Sequence, residues 1–252
     1  MNKKKNTNNR ASRRANQNEI IDSNNGWLDQ ISLIDIKRLT NKIRPKNKTQ
    51  ELLTEYIHTK DVINIKGSSG VGKTFLSIGN ALKLLHDEPT KFKKIILLKS
   101  VNQMLGQEIG FIPGDATEKL QHNNMSYFDN FYQLIGKEKT HQLIDNGIIN
   151  FEVVSFIRGR DLRNSIIIVD EAQNFLKSNI HTIITRMSQD SKVIIMGDPN
   201  QCDLKYPDDS FFDKYFTRCD SFKNDMVGNI AFDEDEVVRH PLIPHFNKNI
   251  FF

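Results

Sequence analysis

The eight residues from Gly67 to Thr74 read GSSGVGKT and satisfy the pattern G-x-x-x-x-G-K-[ST]. Its glycines let the backbone curl so that consecutive N–H groups point at phosphate oxygens, and the helix that follows offers them its positive end. Lys73 would bridge the β- and γ-phosphates of a nucleotide, and the Thr74 hydroxyl would ligate Mg²⁺. The alternative is a glycine-rich turn that binds nothing, which the correct flanking strand and helix disfavour. The pattern predicts nucleotide contacts from Gly67, Ser68, Ser69, Gly70, Val71, Gly72, Lys73 and Thr74.

Two acids follow the most strand-like run of the chain. Residues 166–169 read IIIV, four β-branched residues in a row, and Asp170 and Glu171 come directly after them. A buried strand that ends in two acids is what the second half of a phosphate-loop hydrolase requires. Asp170 would hold Mg²⁺, and Glu171 would polarise the attacking water. An incidental acidic turn is the alternative, and the presence of the phosphate loop makes it the weaker one.

A third strand, residues 193–196, is followed by GDPNQ, which places Gln201 where a polar side chain could report the γ-phosphate. Arg158, Arg160 and Arg163 cluster near the same predicted edge. They could contact RNA or pair with acids such as Asp161, and ion pairing is the slightly favoured reading.

The elements that must position these residues are strands separated by helical stretches across about residues 60–235. This alternation predicts an α/β fold with one mainly parallel, doubly wound sheet and helices on both faces. A Glu directly after the metal-binding Asp, with a further strand between theirs and that of the phosphate loop, indicates a RecA-like P-loop NTPase. Residues 49–57 read as a helix capped by Thr49, residues 116–147 as helical, and residues 151–156 as a strand.

Length and composition restrict the class of protein and its cellular location. The chain has 252 residues, 26% of them charged and 38% hydrophobic, which describes an ordinary globular protein. No apolar run approaches the ~20 residues of a membrane span, and no signal-peptide core follows the first lysines. Two cysteines are too few for a disulfide framework, so we expect reduced thiols, no membrane partner and a cytoplasmic location.

Positive charge is concentrated at the start of the chain. Residues 1–18 hold six basic and no acidic residues, while the whole chain has a net charge of +4. We therefore expect a disordered basic tail over residues 1–25, followed by a single domain over residues 26–252. The tail could be an electrostatic arm that binds nucleic acid or simply a solvated segment, and the sequence favours the two interpretations about equally.

The succession GSSGVGKT, GFIPGD, FIRGRDL, IIIVDEAQN, MGDPNQCDL and DEVVRHPL resembles the PhoH-like family of ATPases, from about Arg44 to about Pro244. This resemblance implies a RecA-like core that binds ATP with Mg²⁺, a ring-shaped homo-oligomer, with a hexamer favoured, and a link to RNA metabolism. It implies that Gln50 recognises adenine and that Arg239 resembles an arginine finger. The family typically has T-R-P where this chain has Lys99, Ser100 and Val101, so contacts implied there do not carry over. Nuclease activity of PIN-fused relatives does not carry over either.

Two functions from different classes remain open. The first is an Mg²⁺-dependent ATPase that acts on single-stranded RNA or DNA, with Lys73, Glu171, Gln201 and Arg239 in the catalytic roles. If Arg239 is a finger, a neighbouring subunit is expected to supply it, which predicts the ring. The second is an ATP-gated binding protein with negligible turnover, which the presence of Glu171 and Gln201 disfavours. A small-molecule kinase is less favoured still, since such enzymes usually lack a water-activating Glu.

Overall fold

Six parallel strands form the centre of the molecule. The computed structural model describes residues 34–99, 124–240 and 242–246, together with Asp29, Ile31, Ser32 and Asn249. The strand order is β3-β2-β4-β5-β1-β6, and every neighbouring pair is parallel. The strands are β1 (Val62–Lys66), β2 (Lys94–Lys99), β3 (Ile149–Val153), β4 (Ser165–Val169), β5 (Lys192–Gly197) and β6 (Val227–Ala231).

The strand order confirms the RecA-like α/β fold predicted from the sequence. β5 lies between β1, which leads into the phosphate loop, and β4, which ends before Asp170. Because all neighbouring strands are parallel, their carboxyl ends share one edge of the sheet, where open α/β folds place their ligands.

Helices cover both faces of the sheet. They are α1 (Ile36–Lys42), α2 (Lys48–Thr59), α3 (Lys73–Asp87), α4 (Met125–Ile135), α5 (Lys137–Asp145), α6 (Lys177–Thr185), α7 (Phe212–Ser221) and α8 (Leu242–Phe246). Successive strand residues point to opposite faces, so Ile166 and Ile168 pack with α1 to α5, while Ile167 and Val169 pack with α6 and α7. The two apolar clusters hold the sheet rigid and fix the positions of the loops at its edge.

Several sequence-based boundaries were wrong. Asn47, and not Thr49, caps α2, because its side chain accepts a hydrogen bond from the Gln50 N–H. The helical stretch expected over residues 116–147 is interrupted at Gly136, whose φ of 88° separates α4 from α5. β3 ends at Val153, and a 3₁₀ turn, Val154–Ile157, replaces the remainder of the expected strand.

Other expectations fall outside the described residues. The basic tail over residues 1–25 and the GFIPGD motif over residues 110–115 both do so. In the part of the chain that the structure does describe, no helix combines the length and the apolar character needed to cross a membrane.

Candidate nucleotide-binding site

The loops after β1, β4 and β5 enclose one cavity of about 730 Å³, within the size range of pockets that bind small molecules and cofactors. The three strands are neighbours in the sheet, which brings the phosphate loop, the acidic pair and the GDPNQ segment together. The residues named above that line the cavity are Gln50, Ser69, Gly70, Gly72, Lys73, Thr74, Asp170, Glu171, Gln201 and Arg239. Residues 50, 170, 201 and 239 are far apart in sequence, and the fold places them around a single space.

The phosphate loop has paired carbonyl groups and unpaired N–H groups. The Gly67 and Ser68 carbonyls accept hydrogen bonds from Lys73 Nζ at 2.7 and 2.8 Å. The Gly70 carbonyl accepts from Val238 N–H at 3.0 Å. Among the described residues, the N–H groups from Ser68 to Gly72 have no hydrogen-bond acceptor. Such a row of donors at the start of α3 forms an anion-binding nest.

The glycines of the loop are required for different reasons. Gly70 and Gly72 have φ angles of 93° and 88°, which glycine adopts readily. Gly67 is not in this left-handed region, contrary to the expectation that all three glycines serve to curl the backbone. A Cβ at Gly67 would lie 2.8 Å from the Cβ of Phe232, so glycine here permits close packing against the residue that follows β6.

Thr74 and Asp170 connect the two halves of the site. Thr74 Oγ1 donates a hydrogen bond of 2.8 Å to Asp170 Oδ2, and the Glu171 N–H donates to Asp170 Oδ1 at 2.9 Å. Burial raises the pKa of the Asp170 carboxyl, and these two hydrogen bonds oppose that increase. Burial also lowers the pKa of Lys73, while the nearby charges of Asp170, Asp198 and Glu171 act in the other direction. The resulting arrangement is one cation and three carboxylates around one cavity.

Glu171 has a left-handed backbone, with a φ of 54° and a ψ of 42°. Its Oε2 accepts a hydrogen bond of 2.6 Å from Gln173 Nε2. The residue is exposed and lines the cavity. There, desolvation first and the charge of Asp170 second raise the pKa of the Glu171 carboxyl. A raised pKa brings this carboxylate closer to the range that suits a general base.

Gln201 ends the 3₁₀ turn Pro199–Gln201 after β5, and its exposed side chain lines the cavity. Its backbone is fixed on both sides. The Gln201 N–H donates to the Asp198 carbonyl at 3.0 Å, and the Gln201 carbonyl accepts from Gln173 Nε2 at 3.0 Å. The loop therefore holds Gln201 on the same side of the cavity as Glu171.

Gln50 is 2% exposed and connects α2 to the phosphate loop. Its Nε2 donates to the Val71 carbonyl at 2.9 Å, and its Oε1 accepts from the Lys46 N–H at 2.7 Å. A side-chain amide has two N–H donors and two acceptor lone pairs, so one of each remains for a ligand. Gln50 thus supports the loop and keeps capacity for a further contact in the cavity.

Arg239 lies against the phosphate loop of its own chain. The segment that carries it is tied to the loop by the Val238 N–H bond to the Gly70 carbonyl. A Cβ at Gly70 would lie 3.1 Å from Val237 Cγ1 and 3.3 Å from Arg239 Cβ. The exposed Arg239 side chain lines the same cavity as Lys73. Arg239 therefore reaches the cavity within one chain, and its supply by a neighbouring subunit stays a prediction.

Three residues near the site were not assigned from the sequence. Gln173 contacts Glu171, as described above. Asp198 is 5% exposed, its Oδ2 has no hydrogen-bond partner among the described residues, and its charge acts on Lys73. Lys99 lies at the end of β2, and burial lowers its pKa. The charges of Asp170 and Glu171 oppose that decrease without cancelling it. For Gln173 and Asp198 the only sequence signal was their position within DEAQN and GDPNQ.

The parallel sheet, the phosphate loop between β1 and α3, and the acidic pair after β4 define a P-loop nucleotide-binding protein with a RecA-like core. The chain belongs to the PhoH-like family, because the family model described as "PhoH-like protein" matches residues 42–250. This confirms the resemblance drawn from the motifs.

Several known proteins are similar to this chain. A PhoH-like protein of Bacillus subtilis (strain 168) is 32% identical over 202 residues, which cover 80% of this chain and 61% of that protein. Protein PhoH2 of the same organism is 34% identical over 66% of this chain and 38% of its own length. Protein PhoH of Escherichia coli (strain K12) is 29% identical over 86% of this chain and 60% of its own. The chain thus spans between 38% and 61% of the length of these relatives.

Among solved structures, the large terminase from a thermophilic bacteriophage is similar over 81% of this chain and 50% of the terminase chain. The TM-score is 0.47 and the sequence identity is 13%.

Proposed function

We propose that this chain is an Mg²⁺-dependent ATPase that hydrolyses ATP to ADP and phosphate and couples turnover to single-stranded RNA or DNA. The observation that carries the proposal is the convergence of Lys73, Thr74, Asp170 and Glu171 on one cavity, with Thr74 hydrogen-bonded to Asp170. These four side chains supply phosphate binding, metal ligation and water activation at one point.

Phosphate binding follows from the loop. The N–H groups from Ser68 to Gly72, which have no acceptor in the described part of the chain, and the half-buried ammonium of Lys73 are available donors. Among the described residues, the charges that act on Lys73 are those of Asp170, Asp198 and Glu171. On nucleotide binding, Lys73 would exchange its two carbonyl partners for phosphate oxygens, a stronger, charge-assisted interaction. Gln50, beside the loop, is proposed to contact adenine through its remaining N–H and lone pair.

The residues present fit Mg²⁺. The Thr74 hydroxyl and the Asp170 carboxylate are adjacent oxygen donors, and Mg²⁺ prefers oxygen ligands and retains several waters, so one or two protein ligands suffice. Held by Thr74 and Asp170, the ion would supply positive charge that neutralises the charge developing on the phosphate. Asp170 is buried and oriented by two hydrogen bonds, and it would hold the ion through the water shell of the metal.

Hydrolysis needs a base for the attacking water, a γ-phosphate sensor and a cation for the transition-state charge. Glu171 is proposed as the base, because the residue lines the cavity beside Asp170 and its carboxyl has a raised pKa. Gln201 is proposed as the sensor and Arg239 as the cation, which would act from within the same chain.

The test of this function is a pair of variants assayed for ATP binding and phosphate release. Glu171→Gln should bind ATP as the wild type does and lose turnover, since it keeps size and loses the base. Lys73→Ala should lose both. A wild-type protein that binds ATP and releases no phosphate would support the ATP-gated switch instead, and a Glu171→Gln variant that still turns over would disprove the base assignment.

Coupling to nucleic acid is supported by the turn after β3. Phe156 is 73% exposed there, at the same edge of the sheet as the nucleotide cavity. Arg160 pairs with Glu152, and Arg163 pairs with Asp161 at 3.3 Å, which confirms ion pairing for those two arginines.

The neighbouring Arg158 is exposed and makes no ion pair with the described residues. An exposed ring beside an unpaired cation suits a stacked base and its phosphate, with stacking worth about 1–3 kcal/mol per base. We therefore propose that Phe156 and Arg158 contact the single strand.

Phe156→Ala and Arg158→Ala should weaken the binding of single-stranded oligonucleotides and their effect on ATP turnover, and leave the basal ATPase unchanged. Phe222→Ala is the matched control, since Phe222 is 61% exposed at the far end of α7. Wild-type affinity in both test variants would exclude this surface. An ATPase that neither binds nor responds to RNA or DNA would exclude the coupling and leave the hydrolytic function intact.

We also propose that the chain assembles into a homo-oligomeric ring. The support is now the family alone, because the position of Arg239 does not require a neighbouring subunit. Light scattering with ATP present tests the ring, and a fully active monomer would refute it.

A further inference from the structure

Gln173 is buried between the two loops that carry Glu171 and Gln201. It is 1% exposed, and its amide makes three hydrogen bonds. Its Nε2 donates to Glu171 Oε2 at 2.6 Å and to the Gln201 carbonyl at 3.0 Å. Its Oε1 accepts from the Asp198 N–H at 3.0 Å. One side chain therefore contacts the carboxylate of one loop and the backbone of the other at two points.

The close approach of Gln173 depends on Gly197, the last residue of β5. A Cβ at Gly197 would lie 2.8 Å from Gln173 Oε1 and 2.9 Å from a ring carbon of Phe212. Any larger residue would displace the amide or the aromatic ring. Glycine at the end of β5 therefore leaves the space that the Gln173 side chain occupies.

A second pair of contacts joins the same loops further from the cavity. Asn174 Oδ1 accepts from the Asp203 N–H at 2.7 Å, and Asn174 Nδ2 lies 3.4 Å from Asp203 Oδ2. These side-chain contacts do not involve the Glu171 carboxylate, and the Asn174 N–H donates only to the Glu171 backbone carbonyl, at 2.9 Å. Gln173 and Asn174 are adjacent, similarly buried amides, so the two differ mainly in whether they reach the proposed base.

We infer that Gln173 is a positioning residue, which holds the Glu171 carboxylate at a fixed position relative to the loop that carries Asp198 and Gln201. The inference rests on the proposed ATPase function. A side-chain amide with both N–H groups and its oxygen engaged has few alternative rotamers, so it fixes the distance between base and sensor. A movement of the Gln201 backbone on γ-phosphate binding would be transmitted to Glu171 through the Gln173 side chain.

The experiment compares two substitutions at Gln173 with one at Asn174 in steady-state ATP hydrolysis. Gln173→Met keeps the length and removes all three polar contacts. Gln173→Glu keeps the shape and the acceptor for the Asp198 N–H, and loses the N–H that Glu171 requires. Asn174→Ala loosens the loops and leaves Glu171 in contact with Gln173. Thermal unfolding and ADP affinity are measured on all three.

We expect both Gln173 variants to lower kcat about 10- to 100-fold, the range for residues that orient a catalytic group, with KM for ATP and ADP affinity within about threefold of wild type. Asn174→Ala should lower thermal stability and change kcat by less than about threefold. Gln173→Glu keeps the packing but adds a negative charge beside Glu171, whereas Gln173→Met removes the N–H without adding charge, so a loss shared by both variants is assigned to the lost N–H.

Wild-type kcat in Gln173→Glu would overturn the inference, and so would an equal loss of kcat in Asn174→Ala, because the effect would then come from loosened loops. A selective rise in KM would also overturn it. In all these outcomes the wild type hydrolyses ATP, so the proposed function survives. An inactive wild type would overturn both.

Discussion

Lys192 is a buried lysine at the edge of the sheet opposite the nucleotide cavity. It is the first residue of β5 and 2% exposed, and its ammonium donates a hydrogen bond to the Lys60 carbonyl. Burial lowers its pKa from 10.5 to about 8, Asp61 opposes this, and Lys91 adds to it. Because the folded protein binds this proton less tightly than the unfolded chain, Lys192 destabilises the fold below pH 8.

The magnitude follows from the two pKa values. The difference between 10.5 and about 8 corresponds to about 3 kcal/mol, at about 1.4 kcal/mol per pH unit. The penalty is full below the folded pKa and disappears as the pH rises towards the unfolded value. Between pH 7 and pH 9.5, linkage gives an increase of about 2 kcal/mol in the free energy of unfolding.

The assay is urea unfolding of the wild type and Lys192→Met at several pH values in this range. Subtracting the two curves removes the titration of all other groups. The difference should change by about 2 kcal/mol, with the wild type gaining relative to the variant as the pH rises. The exposed Lys214→Met variant serves as control and should show no such change. A constant difference between the wild type and Lys192→Met would refute the reasoning.

Three further predictions concern the cavity and its support. Because Arg239 reaches its own phosphate loop, mixing inactive Arg239→Ala with inactive Lys73→Ala protein should restore no ATP hydrolysis, and recovery on mixing would show that Arg239 acts in trans. Gln50→Leu should weaken ATP binding about tenfold by isothermal titration and GTP binding less, and an equal loss for both would limit Gln50 to loop support. Gly79→Ala should destabilise the fold by about 1–3 kcal/mol in urea, since its Cβ would lie 2.3 Å from Ile43 Cγ2, and wild-type stability would contradict that contact.

The parts of the fold and site that follow from local sequence were predictable. The β-branched run IIIV before Asp170 and the run VIIM before Gly197 favour buried strands, and GSSGVGKT has the spacing of a phosphate loop. In a parallel sheet the ends of such strands share an edge, so the convergence of Lys73 and Asp170 needed no further information.

The parts that depend on tertiary contacts were not predictable. Gln173 stands among polar residues whose neighbours are fixed only when β5 pairs with β4. Arg239 follows the phosphate loop by more than 160 residues, and no local pattern indicates that its segment returns to Gly70. The role of Gly67 was misjudged for the same reason, because Phe232 is its neighbour only through β6.

The internal partners of Lys73 and Thr74 have a thermodynamic consequence. Both side chains already have hydrogen-bond partners, Lys73 two loop carbonyls and Thr74 the Asp170 carboxylate. Nucleotide binding is then an exchange of hydrogen bonds, so its net enthalpy should be smaller than the number of phosphate contacts suggests. The same bonds stabilise the curled shape of the loop, which lowers the conformational entropy lost on binding. Folding therefore preorganises the loop for a phosphate group.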